Sequence, residues 1–311
     1  MSSVAVFCPS PILTVMVEHD RPGDPELHLH GGGQRFWVAR MIAALDVKAV
    51  LCAPIGGEVG AVLRAVIESQ HIELHAVATH RSNGAYVHER REGQRVSVAE
   101  TSSPPLSRHE TDELYGAIAA AAMTSAITAL TGPRSPGVID LDIYRRLATD
   151  LRNNGRRVVA DLSGGALDSA LAGGLDLLKL SAEELTDAVG CGPDDPDGQV
   201  AAIQNLRARG ADIVVLTRGP APALVVLDDE VLEIRVPVFE ARDPHGTGDA
   251  MFAAVCAEFA LGRDIRRALR TGAAAGALNA TRAGLGTGNR PDIERLASAV
   301  EIAPWSASAC A

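Results

Sequence analysis

The stretch with the most chemical potential is DPHGTGDAMFAAVCAEFALG, residues 243–262. Gly246, Thr247 and Gly248 precede a nearly all-apolar run, which predicts a loop that leads into a buried helix. Converging backbone N–H groups and the positive end of a helix favour an anion, so the segment predicts an anion hole. Asp249, in the mouth of that hole, is placed to accept a proton from a hydroxyl during phosphoryl transfer. The alternative interpretation is an ordinary helix cap, where Asp is common.

The composition excludes several classes of protein. The 311 residues are 47% hydrophobic and 22% charged, which predicts a globular chain with one large domain and an appendage. A formal net charge of -10 argues against nucleic acid as a partner. Every long apolar run contains a charge or a breaker, so neither a transmembrane helix nor a membrane partner is expected. The N-terminal residues do not resemble a signal peptide, and scattered cysteines fit a reducing cytoplasm.

Short apolar strands alternate with amphipathic helices along most of the chain. Val38, Met41, Ile42 and Leu45 fall on one helical face, and VKAVLCAPIGG reads as a buried strand that ends in a glycine turn. RRVVADLSGG, LDLLKLS and DIVVLTRG are further apolar runs followed by polar or glycine residues. This alternation predicts an α/β fold with parallel pairing, whose ligands bind at the carboxyl ends of the strands.

Two segments, 11–30 and 79–100, lack helical periodicity. Within the second, NGAYVHERREGQRVSVAE reads as a β-hairpin that turns near Glu92 and Gly93. Extra strands inserted into an α/β domain suggest a small lid that closes over a ligand. We therefore expect a small β lid made of these two segments and a large α/β domain made of residues 1–10, 31–78 and 101–311.

These motifs together resemble the PfkB, or ribokinase-like, family of sugar and nucleoside kinases. DPHGTGDAMFAA resembles the family signature D-x-x-G-A-G-D, and HGGGQRFWVARMIAAL resembles G-G-K-G-x-N-V-A-R. In the family's order, TGPRSPGV resembles S-G-S-L-P-P-G-V, DLSGGAL resembles D-T-S-G-x-A-L, KLSAEEL resembles K-P-N-x-x-E-L, and LTRG resembles S/T-L-G. The matches run from about residue 4 to 290 and resemble the branch of 1-phosphofructokinase, tagatose-6-phosphate kinase and the minor 6-phosphofructokinase. The resemblance implies a three-layer αβα sandwich with a mostly parallel central sheet and a small β lid.

The resemblance also implies roles on the phosphoryl-transfer side, with ATP as donor and Mg²⁺ as cofactor. Asp249 matches the catalytic base, and the three residues before it match the anion hole. The N-x-x-E motif, which helps to organise magnesium through water, has Glu184 in place but Ser181 instead of Asn. Ser keeps one hydrogen-bonding oxygen and loses the reach of the amide. Further nucleotide-binding positions are Lys179, Thr217, Gly219 and Asn279. A surface lysine and a solvated helix residue are the alternatives for Lys179 and Asn279.

The acceptor side departs more from the family pattern. Gly32 and Gly33 match the loop that approaches a sugar, but Gln34 and Trp37 replace the family's Lys and Asn. Thr14 stands where the family has the Asp that binds sugar hydroxyls, and a hydroxyl is a weaker acceptor than a carboxylate. These departures put the sugar-phosphate specificity of the family in doubt for this chain.

Several basic residues remain candidates for the acceptor site. Arg81 and Asn83 match T-R-x-N-V, whose Arg commonly approaches the acceptor, and Arg134 adds a charge to a loop expected to face the site. Arg35, at a family glycine position, and Arg90 could supply cations, although a solvated surface position is the default expectation for all but Arg81. His30 and His245 have no partner at metal-ligand spacing and read as structural or site-lining residues.

Three functions are compatible with these motifs. The first is an ATP-dependent kinase for a hydroxyl of a sugar or sugar phosphate. The second is a kinase of the same fold for a non-phosphorylated sugar or a nucleoside, with Trp37 offering an aromatic face. The third is a nucleotide-binding regulator without catalysis. The family also implies a homodimer through the lid, because exposed strand edges leave backbone groups that a partner lid can cover.

Overall fold

The computed structural model describes residues 2–21, 24–91, 96–192, 194–237, 245–281 and 288–306. The predicted turn at Glu92 and Gly93 lies outside these residues. The strands are β1 Ser3–Phe7, β2 Ile12–Arg21, β3 Asp24–Gly32, β4 Lys48–Ile55, β5 Glu73–Ala78, β6 Gly84–Glu89, β7 Val96–Thr101, β8 Ile127–Thr131, β9 Arg157–Asp161, β10 Leu177–Ser181, β11 Ile213–Arg218, β12 Ala221–Leu227, β13 Glu230–Arg235 and β14 Glu301–Pro304. The helices are α1 Gln34–Ala44, α2 Gly57–Ser69, α3 Arg108–Thr124, α4 Asp142–Asn153, α5 Gly164–Gly173, α6 Ala182–Val189, α7 Pro196–Ala208, α8 Thr247–Ala260, α9 Ile265–Thr281 and α10 Arg290–Ala297.

The large sheet has the order β14-β13-β12-β11-β10-β9-β8-β1-β4-β5. Its seven strands from β11 to β5 are parallel, as the buried apolar runs predicted, because strands covered on both faces lack polar alternation. The chain adds β4 and β5 on one side of β1 and then returns to add β8 to β11 on the other. The order therefore reverses at β1, and a crevice at such a point is where open α/β sheets bind ligands.

The far edge of this sheet is antiparallel. The strands β12 and β13 form a hairpin against β11, and β14 pairs with β13. Asp228, at the hairpin turn, has a φ of 51°, a left-handed conformation that Asp tolerates better than most residues. The sequence patterns described above do not predict this antiparallel edge.

Helices cover both faces of the large sheet and produce the three-layer αβα architecture that the resemblance implied. One apolar core packs α1, α2, α8, α9 and α10 against one face. The other core packs α3, α4, α5 and α7 against the opposite face. Because β1 lends Val4 and Val6 to the first core and Ala5 and Phe7 to the second, the central strand is buried from both sides. Among the helices described, none has the length and apolarity that crossing a membrane requires.

A smaller sheet of order β3-β2-β6-β7 stands apart from the large one. The strands β6 and β7 pair antiparallel, so the predicted hairpin strands are confirmed. The first two strands of this sheet come from the other segment without helical periodicity, and β2 pairs with β6 in parallel. In that register Thr14 lies opposite both His30 and Tyr86, so the three residues share one face of the sheet.

Candidate active site

The residues predicted to form an anion hole lie at the start of α8. Gly246 is the N-cap, with a left-handed φ of 71°, and Thr247, Gly248 and Asp249 make the first turn. A glycine N-cap has no side chain with which to satisfy the first backbone N–H groups, which leaves a ligand able to do so. The rest of α8 is buried, so its positive end is fixed at the carboxyl edge of the sheet.

The helix α9 braces this first turn. A Cβ on Gly276 would lie 3.0 Å from the carbonyl oxygen of Thr247, so only a glycine lets α9 come this close. The amide of Asn279 donates to the carbonyl oxygen of His245 over 3.0 Å and holds the residue that enters the loop. Asn279 is buried, so the solvated alternative for this residue is wrong. Its predicted contact with the nucleotide stays a prediction.

Lys179 lies directly beneath the anion hole. A Cβ on Gly248 would stand 2.6 Å from Lys179 Nζ, so the absence of a side chain lets the backbone rest on the amine. The lysine is the middle residue of the central strand β10, and its side chain is 6% exposed. The alternative of a surface lysine is therefore wrong, because strand β10 points this side chain into the site.

Asp161, at the end of the neighbouring strand β9, pairs with this lysine. Lys179 Nζ is 3.2 Å from each carboxylate oxygen, and the carboxylate is fully buried. Burial alone would lower the pKa of Lys179, but Asp161, Glu184 and Asp249 outweigh burial and raise that pKa. Lys179 is thus a cation at neutral pH, and Asp249 lies within its electrostatic reach. Sequence reasoning missed Asp161, although an acidic residue that ends a buried strand was visible in RRVVADLSGG.

Ser181 and Glu184 form a capping box at the start of α6. The Ser181 backbone N–H donates to Glu184 Oε2 over 2.7 Å, and the Glu184 N–H donates to Ser181 Oγ over 3.2 Å. This S-x-x-E arrangement satisfies two N–H groups at a helix start. Serine therefore keeps the local fold that this motif needs, and it holds Glu184 close enough to act on Lys179.

Thr217 and Gly219 lie beside this cluster. Thr217 pairs with Ser181 across β10 and β11, and its hydroxyl donates to the carbonyl oxygen of Leu180 over 3.4 Å. Gly219 is exposed with a φ of 56°, in the turn between β11 and β12. Both residues are at the carboxyl edge of the sheet, where their nucleotide contacts stay predictions.

The glycines of the acceptor loop are required by packing. A Cβ on Gly31 would stand 2.6 Å from the buried ring of Phe36, and one on Gly32 would collide with Thr14 Oγ1. Gly33 is the N-cap of α1, with a φ of 85°. Thr14 is therefore held against this loop and is buried. The side chain of Gln34 lies outside the described part of the structure.

Trp37 lies on α1 and packs towards the small sheet. Its ring centroid is 6.1 Å from that of His30 and 5.4 Å from that of Phe36, and the Arg40 guanidinium lies 5.6 Å from it. Trp37 thus ties the helix to β3. Its predicted contact with an acceptor has no support from these neighbours.

Arg81 and Asn83 line a cavity of about 450 Å³ at the carboxyl ends of β1 and β4. Arg81 is exposed, whereas Asn83 is buried. The Asn83 side chain accepts from the Gly56 N–H and donates to the Pro54 carbonyl oxygen, both over 2.9 Å. Asn83 therefore holds the chain in place beside Arg81, which faces the cavity.

Arg35, in the first turn of α1, and Arg134, in the loop after β8, lie near this site. Arg35 is 5% exposed, so the expectation of a solvated surface position is wrong. Arg134 stacks over the Tyr86 ring at 4.3 Å and pairs with Glu100 at 3.6 Å, while its backbone N–H donates to Ser10 Oγ. Arg90 pairs with Glu18 at 4.0 Å on the small sheet.

Comparison with known proteins agrees with this geometry. A model of the pfkB family carbohydrate kinases matches residues 16–292. The ATP-dependent 6-phosphofructokinase isozyme 2 of Mycobacterium tuberculosis is 30% identical over 281 residues, which cover 89% of this chain and 81% of that protein.

Solved structures share the fold over almost the whole chain. A mutant of phosphofructokinase-2 from Escherichia coli superposes with a TM-score of 0.83 at 24% identity, covering 96% of this chain and 98% of that one. A possible 1-phosphofructokinase from Thermotoga maritima superposes with a TM-score of 0.85 at 15% identity, covering 98% and 100%.

The buried ion pair gives a stability prediction. Lys179→Met leaves the Asp161 carboxylate buried without its partner, so we expect the free energy of unfolding to fall by about 3–5 kcal/mol in urea denaturation. The double variant Lys179→Met/Asp161→Asn should lose less, because it leaves no uncompensated charge. Lys48→Met, which breaks an exposed pair with Glu73, is the control and should cost at most about 1 kcal/mol. Equal losses for Lys179→Met and the control would contradict the assignment.

Proposed function

The chain belongs to the pfkB family of carbohydrate kinases, and we propose that it transfers the γ-phosphoryl group of ATP to a hydroxyl of a sugar or sugar phosphate. The observation that carries the proposal is the position of Asp249, in the first turn of α8, with Gly248 resting on the buried Lys179 amine. A carboxylate, a helix N-terminus and a buried lysine that lie close together support this proposal. The phosphofructokinase relative supports a sugar phosphate as acceptor.

The phosphates of ATP fit the cradle at the start of α8. Backbone N–H groups of the first turn and the charge of Lys179 stabilise negative charge on the transferring group without rearrangement, because Asp161 already holds the lysine in place. A side chain on Gly248 would fill the space above the amine. In this proposal, Thr217 on β11 and Gly219 in the turn that follows contact the nucleotide.

Asp249 acts as the base. Its carboxylate accepts the proton of the acceptor hydroxyl, and the oxygen so activated attacks the γ-phosphorus in line with the leaving ADP oxygen. Lys179 interacts electrostatically with Asp249 as well as with its ion-pair partner Asp161. Asp161 serves as a positioning residue, because it touches the lysine and not the reacting atoms.

Magnesium fits the site through phosphates and water. Within the described ranges no group of three or more His, Cys, Asp or Glu side chains is arranged to hold a metal ion. Mg²⁺ keeps several waters and binds through substrate phosphates with few carboxylates, so Glu184 alone is a suitable protein partner. When bound, the ion neutralises charge on the phosphates of ATP. ATP, Mg²⁺ and a cytoplasmic location together complete the proposal.

The two other candidate functions have less support. A kinase for a nucleoside or a neutral sugar would use Trp37 as a platform, but that ring packs between His30 and Phe36. A regulator without catalysis would have no need of Asp249, yet this residue stands in the electrostatic field of a buried lysine that a second carboxylate holds.

We also propose that the small sheet acts as a lid and joins two copies of the chain. Leu29, Val15 and Val87 lie opposite one another on three neighbouring strands, so one face of the sheet carries an apolar row. Leu27 and Leu29 are 66% and 49% exposed, and Val96 and Val98 of the edge strand β7 are also exposed. An apolar face of this kind fits a second lid.

The catalytic role of Asp249 predicts the behaviour of one variant. Asp249→Asn keeps the shape of the site but cannot accept a proton, so we expect kcat with ATP, Mg²⁺ and fructose 6-phosphate to fall by about 10²- to 10⁴-fold. The affinity for ATP, measured by calorimetry, should change little. Wild-type kcat in this variant would show that Asp249 is not the base.

The lid contact predicts the oligomeric state. In size-exclusion chromatography with light scattering, the wild-type protein should have twice the mass of the 32.4 kDa chain. The variant Leu27→Glu/Leu29→Glu should shift towards the monomer, because two charges would be buried in an apolar contact. Val189→Glu, at an exposed position on α6, is the matched control. A monomeric wild-type protein would refute the contact.

A further inference from the structure

Arg35 is a buried residue that forms no ion pair within the part of the chain that the structure describes. Its side chain belongs to α1, the residue is 5% exposed, and its Nε has no hydrogen-bond acceptor. Among the ion pairs of the described residues, none includes Arg35. Burying a charged group without a partner is costly, so a protein retains one where a ligand supplies the missing charge.

The guanidinium lies where the strand order of the large sheet reverses. A Cβ on Gly33 would be 3.9 Å from Arg35 Nη1, and a Cβ on Gly132, just after β8, would be 3.9 Å from Nη2. Arg35 also interacts electrostatically with Cys8, which follows β1, and with Asp161, which is the last residue of β9. Arg35 therefore points across the carboxyl ends of β1, β8 and β9, into the crevice of the sheet.

Two described carboxylates on this side of the molecule are engaged with other cations. Asp161 has both of its oxygens 3.2 Å from Lys179 Nζ. Glu100 lies on the small sheet and pairs with Arg134 at 3.6 Å. Among the described residues, neither Asp161 nor Glu100 is therefore a dedicated counter-ion for Arg35.

A second cation and a second buried donor lie on the same side. Burial lowers the pKa of Arg134, and the charge of Arg35 lowers it further, so the two guanidinium groups are neighbours. Arg134 stacks on the ring of Tyr86, whose buried hydroxyl has no hydrogen-bond partner. Two guanidinium groups and a phenol hydroxyl around one crevice are suited to an oxyanion.

We propose that Arg35, assisted by Arg134, binds an oxyanion of the acceptor, so that the substrate is a hydroxyl compound that carries a carboxylate or a phosphate. This inference rests on the proposed kinase function and names the substrate class. Thr14 lies on the face of the small sheet that includes Tyr86, and its neutral hydroxyl is a weak partner for the hydroxyl groups of an acceptor. The site therefore selects acceptors by their charge. Arg35 is then a residue that determines specificity and does not take part in proton transfer.

Matched acceptors and variants test the charge selection. Wild-type protein, Arg35→Gln, Arg35→Lys and Arg134→Gln are assayed with ATP and Mg²⁺ on fructose 6-phosphate against fructose, and on gluconate against sorbitol. We expect the wild-type protein to prefer the charged member of at least one pair. Arg35→Gln should lower kcat/KM for that acceptor by about 10- to 100-fold, chiefly through KM, because a charge-assisted bond to substrate is lost. The KM for ATP should not change.

The other variants separate charge from structure. Arg35→Lys keeps a point charge and should retain part of the preference, and Arg134→Gln should lower kcat/KM for the same acceptor by a smaller factor. Arg64→Gln, which breaks an exposed pair with Glu68, is the matched control and should behave as wild type. Without ligand, Arg35→Gln should unfold at a temperature no lower than wild type, since it removes an unpaired buried charge. A structural role for Arg35 predicts a lower temperature.

The outcomes distinguish this inference from the proposed function. If wild-type protein and Arg35→Gln have the same KM for every acceptor, the kinase stands and the anion site is refuted. If the wild-type protein phosphorylates none of the acceptors, the proposed function loses its support. The site is then judged by thermal unfolding with inorganic phosphate and with acetate, which should stabilise the wild-type protein more than Arg35→Gln. Equal stabilisation of the two by both anions would refute the site.

Discussion

The buried pair of Lys179 and Asp161 is the interaction on which the candidate active site depends. Two neighbouring parallel strands bring the cation and the carboxylate together at 3.2 Å, out of contact with water. The pair fixes the amine beneath Gly248, so the N-terminus of α8 has a constant charge below it. A cation held before the substrate arrives has no reorganisation cost during phosphoryl transfer, which is the condition for effective electrostatic catalysis.

The acceptor side follows a different principle from the nucleotide side. Lys179 pairs with Asp161, whereas Arg35 is buried and forms no ion pair with any residue that the structure describes, which is why we propose that a ligand supplies its counter-charge. Both cations act electrostatically on Asp161, which ends strand β9 near the point where the strand order reverses. The substitution of Thr14 and Trp37 for polar family residues and the gain of Arg35 together describe a pocket that recognises charge more than hydroxyl groups.

Much of the fold was predictable, because helical and strand periodicities repeat along the chain and each buried strand is an uninterrupted apolar run. The helix start at GTGD was predictable, and the S-x-x-E spacing of Ser181 and Glu184 is itself a capping signature. The burial of Lys179 and Arg35 was not, since charged side chains are exposed in most contexts and only the tertiary structure places these two between strand ends. The pairing of β14 with β13 could not be predicted because it joins segments distant in sequence, whereas the hairpin of β12 and β13 is local and was missed.

The central claim is that the backbone at Gly248 and the amine of Lys179 act together on the transferring phosphoryl group. The most direct measurement is kcat of Gly248→Ala with ATP and Mg²⁺, since the added Cβ would stand 2.6 Å from Lys179 Nζ and must separate the two. We predict that kcat falls by about 10²-fold, as for loss of one oxyanion-stabilising group, while the unfolding temperature stays near that of wild type. Wild-type kcat in a correctly folded Gly248→Ala variant would contradict the account.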